Sequence, residues 1–178
     1  MNFFVSLHTM KTFLYLVRHG ETVDNANNIM QGQTQGQLNE TGIRQAEELS
    51  RQLAAEKFDV IMASDLKRAV DTAQIIARPH GLAVETTFLL RERDWGAFTG
   101  RFIPDLKNVE WPDDVEPLDQ LLARASHFLD FVRSKYTGKK VLAVGHGIVN
   151  KAIQAVYYGK SMKEVGRMTN CEVRVLEL

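Results

Sequence analysis

A second cysteine is missing, and with it any internal disulfide, because Cys171 stands alone in 178 residues. No Cys/His spacing suits zinc either. A lone thiol fits a reducing cytoplasm. Cys171 is expected within a C-terminal strand, where it reads as a packed thiol. An excess of one charge is also missing: Lys plus Arg number 22 and Asp plus Glu number 22. Nucleic acid or a membrane surface could not be held by net charge, so any anion recognition must come from local placement of Arg and Lys. No run approaches the roughly 18 apolar residues that span a bilayer. Met1 to Leu7 are fairly apolar, but His8 and Lys11 interrupt them. With neither a basic leader nor a small-residue cleavage site, a signal peptide is not expected. Met10-Lys11-Thr12 reads as a natural start. Residues 1–9 then form a short N-terminal extension ahead of a single domain over 10–178.

The chain does contain enough apolar residues, 44%, to bury a real core. They fall in alternating strand and helix patterns. Phe13 to Val17, Val60 to Ala63 and Val141 to Val144 are continuous apolar runs too short for helices, and read as buried strands. Residues 82–88 and Cys171 to Leu178 are further strand candidates. Asn39 is a candidate N-cap for a helix whose apolar face carries Ile43, Ala46, Leu49 and Leu53. Ser64 or Asp65 could cap the next, ended by Pro79 and Gly81. Residues 89–116 hold Gly96, Gly100, Pro104 and Pro112 and read as loop or short lid. Leu118 to Val132 follows as a long amphipathic helix closed by Gly138, and Ile148 to Tyr158 as another. Ser161 and Glu164 have capping-box spacing, which predicts one more short helix. This order argues an α/β fold: a three-layer sandwich around a mostly parallel central sheet.

Three of these strands run directly into residues suited to chemistry. Val17 leads into Arg18-His19-Gly20-Glu21-Thr22, Ala63 into Ser64-Asp65-Leu66-Lys67-Arg68, and Val144 into Gly145-His146-Gly147. In an open α/β sheet, ligands bind outside the carboxyl ends of the strands. Taken singly, His19 or His146 would more often be a satisfied structural histidine, Arg68 a solvated charge and Glu92 a surface carboxylate. Their joint delivery to one sheet edge points instead to an anion site. His8, His80 and His127 have no motif around them and read as structural or surface residues. Trp95 and Trp111 suit a lid or the rim of the core.

Together these segments resemble the histidine phosphatase superfamily, phosphoglycerate-mutase-like. Arg18-His19-Gly20-Glu21-Thr22 resembles its signature, with Asn25 matching a further position. Ser64 to Ala69 with Thr72-Ala73 resembles the second arginine segment, Leu90 to Gly96 the acid-bearing segment, and Gly145-His146-Gly147 the second histidine segment. The likeness covers about residues 12–178 and is weakest between 101 and 137. It implies that His19 attacks phosphorus and becomes phosphohistidine, its other ring nitrogen donating to a backbone carbonyl. Neutral imidazole suits that task, with an unperturbed pKa of about 6.5. Arg18 and Arg68 would clamp the phosphoryl oxygens, His146 would be a further donor and Asn25 would donate through its amide. Glu92 would protonate the leaving oxygen and then activate water. Clustered arginines oppose that first duty and partial desolvation favours it. Gly20 and Gly147 would let the backbone come close to the phosphate. No cofactor or metal is called for.

The sequence departs from the resemblance after Gly100. Family members often carry a longer insertion there, whereas only Arg101 to Glu116 precede the long helix. Pro117 stands where a small hydroxyl residue is common. The expectation is a reduced lid, an open site and hydrolysis of several small phosphorylated metabolites. A mutase, which must hold its product while it reorients, is the alternative; Arg91, Arg93, Arg101 and Lys107 could supply its charge. A member that binds phosphate or protein without catalysis is a second alternative. Apolar edge strands could pair two chains into a homodimer, and the sequence leaves the oligomeric state open.

Overall fold

The structure is a computed structural model that describes residues 10–178. The readings of residues 1–9 and of His8 lie outside the described residues. Five strands form one sheet: β1 (Phe13–Arg18), β2 (Val60–Ser64), β3 (Val84–Thr87), β4 (Lys140–Gly145) and β5 (Val173–Glu177). Their order is β3-β2-β4-β1-β5. Four strands are parallel, and β5 runs antiparallel to β1. The helices are α1 (Val23–Ala26), α2 (Glu40–Leu53), α3 (Lys67–Ala77), α4 (Leu118–Lys135) and α5 (Gly147–Tyr158).

Alternation along the buried strands builds the three layers. Leu14 and Leu16 of β1, with Val141 and Ala143 of β4, face α4 and α5. The intervening Val17, Leu142 and Val144 face α2 and α3. On the first face Leu121, Ala125, Phe128, Leu129 and Val132 give α4 a continuous buried stripe. Both faces of the sheet are therefore apolar, which explains why β1, β2 and β4 read as unbroken hydrophobic runs.

Several local expectations hold, and others are corrected. Asn39 caps α2, its side chain accepting from Gly42 N–H at 2.8 Å. Ala46 and Leu49 are buried on that helix, but Ile43 is exposed. Neither Ser64 nor Asp65 caps α3; its N-cap is Leu66, which offers no side-chain bond. Gln35, from a loop far upstream, takes the free N–H groups instead: its side chain accepts from Lys67 and its carbonyl from Arg68, at 2.9 and 3.1 Å. Ser161 and Glu164 do bond, through Ser161 N–H to Oε2 at 2.8 Å, but they form a turn and no helix. Arg174 holds the carbonyls of Gly166 and Arg167, each at 3.1 Å, and so draws the following backbone out of a helical path. Cys171 precedes β5 rather than lying in it, at φ 56°.

Candidate active site

Because β2, β4 and β1 are neighbours, their carboxyl ends deliver the three expected segments side by side. Arg18 is in register with Gly145, and Val144 with Ala63. The site opens there as a cavity of about 440 Å³. Arg18, His19, Asn25, Arg68, Glu92 and Gly147 all line it. His146 does not: it is completely buried beside His19, with the ring centroids 5.1 Å apart.

His19 follows β1, and its own loop fixes its ring. Nδ1 lies 2.7 Å from the carbonyl of Gly20. An N–H on Nδ1 donating there leaves Nε2 as the atom with a free lone pair. Burial, and then the charge of Arg68, hold the His19 pKa well below the usual imidazole value. The same two causes act on His146. Both rings are therefore neutral at neutral pH. The loop around His19 is braced by contact between glycines, since a Cβ on Gly20 would stand 2.5 Å from the carbonyl oxygen of Gly42. Gly20 therefore packs against α2 with no room for a side chain. A Cβ on Gly147 would meet nothing closer than the Arg18 guanidinium, at 3.6 Å.

The two arginines are set by main-chain acceptors. Arg18 Nη1 donates to Met168 O at 2.7 Å. Arg68, 1% exposed, donates through Nη2 to Gly32 O at 2.8 Å and through Nη1 to Thr34 O. Burial pushes the Arg68 pKa down to about 10, which still leaves it charged at neutral pH. The Nε atoms of both arginines, and both ring nitrogens of His146, are buried without a partner. Such groups cost about 1–3 kcal/mol each unless something satisfies them.

Asn25 closes a capping box on α1: its Oδ1 accepts from Thr22 N–H at 3.2 Å and from Asn170 Nδ2 at 3.4 Å. With the oxygen taken, the Asn25 amide N–H groups are its remaining polar atoms. Glu92 lies across the cavity at the start of α5. Its carboxylate accepts from the backbone N–H groups of Arg93, Ile148 and Val149 at 2.9 to 3.2 Å. The carboxylate is thus positioned entirely by main chain.

Four site residues carry no motif in the sequence. Asn170 donates to His19 O at 2.9 Å, and Gln31 accepts from Thr22 Oγ1 at 2.9 Å. Arg167 lines the cavity. Arg124, on α4, donates to the carbonyls of Leu89 and Arg91 at 3.0 and 2.6 Å, and pairs bidentately with Glu116 at 3.0 and 2.8 Å. Arg124 thus anchors the segment that bears Glu92.

The lid is short. Its rim pairs with the loop before the cavity: Met30 N–H donates to Arg101 O at 2.9 Å, and Ile103 N–H to Asn28 O at 2.8 Å. None of the four cations that could have charged the lid for a mutase lines the cavity. Arg91 is paired with Asp65 at 2.6 Å. Arg93 lies between Trp95 and Trp111, about 5 Å from each ring, and Arg101 lies over Phe98. Trp95 lines the cavity, and Trp111 packs edgewise on it with the ring centroids 5.5 Å apart.

Comparison with known proteins agrees with this layout. The profile of the histidine phosphatase superfamily (branch 1) matches residues 14–178. A metal-independent phosphoserine phosphatase of Arabidopsis thaliana is 34% identical, over 98% of this chain and 79% of that protein. The solved mycobacterial glucosyl-3-phosphoglycerate phosphatase superposes with a TM-score of 0.81 at 27% identity, covering 94% of this chain and 90% of that one. A phosphoserine phosphatase from Entamoeba histolytica, solved in complex with 3-phosphoglyceric acid, has a TM-score of 0.81 at 25% identity, covering 92% and 89%. The chain belongs to the histidine phosphatase superfamily and is an enzyme of its phosphatase type.

Proposed function

We propose that the protein hydrolyses small phosphate monoesters without a metal ion, through a phosphohistidine on His19. The observation that carries this reading is the His19 ring: neutral, tied through Nδ1 to Gly20 O at 2.7 Å, and lining a cavity together with Arg18 and Arg68. Nε2 attacks phosphorus, the P–O ester bond breaks, and Glu92 gives its proton to the leaving alkoxide. Water then attacks phosphorus as Glu92 takes its proton, the P–N bond breaks, and inorganic phosphate leaves with His19 neutral again. Arg18, Arg68, the Asn25 amide and the Gly147 edge hold the phosphoryl oxygens, and His146 donates from beside His19. The positive charge that a metal would bring comes here from the two arginines. Phosphate monoesters need acceleration approaching ~10²¹-fold, which explains why so many donors converge on one group.

Hydrolysis is favoured over a mutase reaction because no lid cation lines the cavity to retain a product. The same short lid suits several small substrates. No helix among the described residues is long and apolar enough to cross a membrane. We place the protein in the cytoplasm on its single unpaired cysteine. The test is release of inorganic phosphate from p-nitrophenyl phosphate in EDTA, by wild type and His19→Ala. Turnover that the substitution abolishes is expected. Interconversion of 2- and 3-phosphoglycerate without phosphate release would favour the mutase.

A further inference from the structure

Arg167 differs from the other two arginines that line the cavity. Arg18 and Arg68 spend donors on backbone carbonyls at the cavity floor. Arg91 is paired with Asp65, and Arg124 with Glu116. Arg167 lines the cavity, yet among the described residues its side chain enters no ion pair and no hydrogen bond.

Its backbone, in contrast, is held from both sides. The carbonyl of Arg167 accepts from Arg174 Nη2 at 3.1 Å, and that of Gly166 from Arg174 Nη1 at 3.1 Å. Arg174 is itself fixed by Glu172 at 2.8 Å and Gln154 at 2.7 Å. On the other side, Met168 O accepts from Arg18 at 2.7 Å, and Asn170 bonds His19 O at 2.9 Å. The loop that carries Arg167 is therefore tied to the same residues that would hold the phosphoryl group. The anchored backbone sets an exposed, unspent guanidinium at the edge of the cavity, where a substrate anion can engage it.

Charge on the cavity wall agrees. Three arginines (18, 68 and 167) face two carboxylates, Glu21 and Glu92. Glu21 is engaged by Asn39 at 2.7 Å. Arg18 and Arg68 are the two that face the phosphoryl group, so Arg167 is the lining arginine left to meet another part of the substrate. The cavity, at about 440 Å³, has room for more than that group.

We infer that Arg167 is a specificity-determining residue that reads a second anionic group on the substrate, so that preferred substrates are phosphate monoesters carrying a carboxylate. This rests on the phosphatase reading above. A guanidinium fork matches a carboxylate bidentately, and the match vanishes for a neutral analogue. A second phosphate offers the same chemistry, and the assay separates the two sources.

The experiment compares kcat/KM for matched pairs, with wild type and Arg167→Gln. 3-Phosphoglycerate is set against glycerol 3-phosphate, O-phosphoserine against O-phosphoethanolamine, and fructose 1,6-bisphosphate against fructose 6-phosphate. The expected result is a wild-type preference for the acidic member, reduced tenfold or more by Arg167→Gln and mainly through KM. Loss confined to the bisphosphate pair would name a second phosphate as the group read. A preference ratio unchanged within twofold by the substitution would overturn the inference while leaving hydrolysis intact. Failure of wild type on every ester, p-nitrophenyl phosphate included, would overturn the phosphatase reading itself.

Discussion

Lowering the pH should unfold this protein through two histidines. His19 is 2% exposed and His146 not at all, and burial beside Arg68 holds both well below the ordinary imidazole pKa. In the unfolded chain each titrates near 6.5. Above that value neither state binds the protons, so the pair contributes no pH dependence. Below it the unfolded state takes up two protons that the folded state refuses, and stability is lost as pH falls toward the folded pKa values. Linkage sets the slope at about 1.4 kcal/mol per pH unit for each group that stays unprotonated, so the pair should cost roughly 2–3 kcal/mol between pH 7.5 and 5.5. Urea unfolding followed by the fluorescence of Trp95 and Trp111 measures this. The carboxylates that are held low in the folded state, Asp65 and Glu85 among them, act in a more acidic window. The double variant His19→Asn/His146→Asn isolates the histidine share and should lose most of it. An equal acid-induced loss in wild type and the double variant would refute the reasoning.

The same depressed pKa predicts that the acid limb of kcat/KM falls well below pH 6.5, because the nucleophile stays unprotonated; a midpoint at or above 6.5 would contradict it. Arg124→Gln should cost about 3 kcal/mol of stability, since it leaves the largely buried Glu116 unpaired. It should also lower kcat more than it raises KM, by loosening the segment that bears Glu92, and full kcat in a folded variant would remove Arg124 from the account. Gly42→Ala places a Cβ 2.0 Å from the carbonyl oxygen of Glu21, so it should cost about 1–3 kcal/mol and disturb the His19 loop; an unchanged thermal midpoint would contradict the packing argument.

The parts that were legible in the sequence are those dictated by local pattern. Continuous apolar runs identify strands buried on both faces, and the residues at their ends follow by chain continuity, as Arg18, His19 and Gly147 do. What was illegible depends on partners distant in sequence. The N–H groups at the start of α3 are met by Gln35, which no capping rule at Ser64 or Asp65 can anticipate. The Ser161–Glu164 pair formed as its spacing suggests, yet Arg174 turned the chain away from a helix. Whether the cations after Gly96 and around it could charge the cavity was also illegible, because that depends on partners such as Asp65 for Arg91 and two tryptophans for Arg93. Arg167 was invisible for the opposite reason: a single arginine among 22 basic residues, with no motif beside it, is placed only by the fold.

The central claim is that the phosphoryl group passes through His19, and trapping it there is the most direct test. A substrate labelled in its phosphoryl group would be mixed with enzyme in EDTA, quenched in alkali within one turnover, digested and mapped. The account predicts label that is stable in base, labile in acid and confined to the peptide bearing His19. Rapid turnover with no labelled protein, or label on His146 or a hydroxyl side chain, would contradict it.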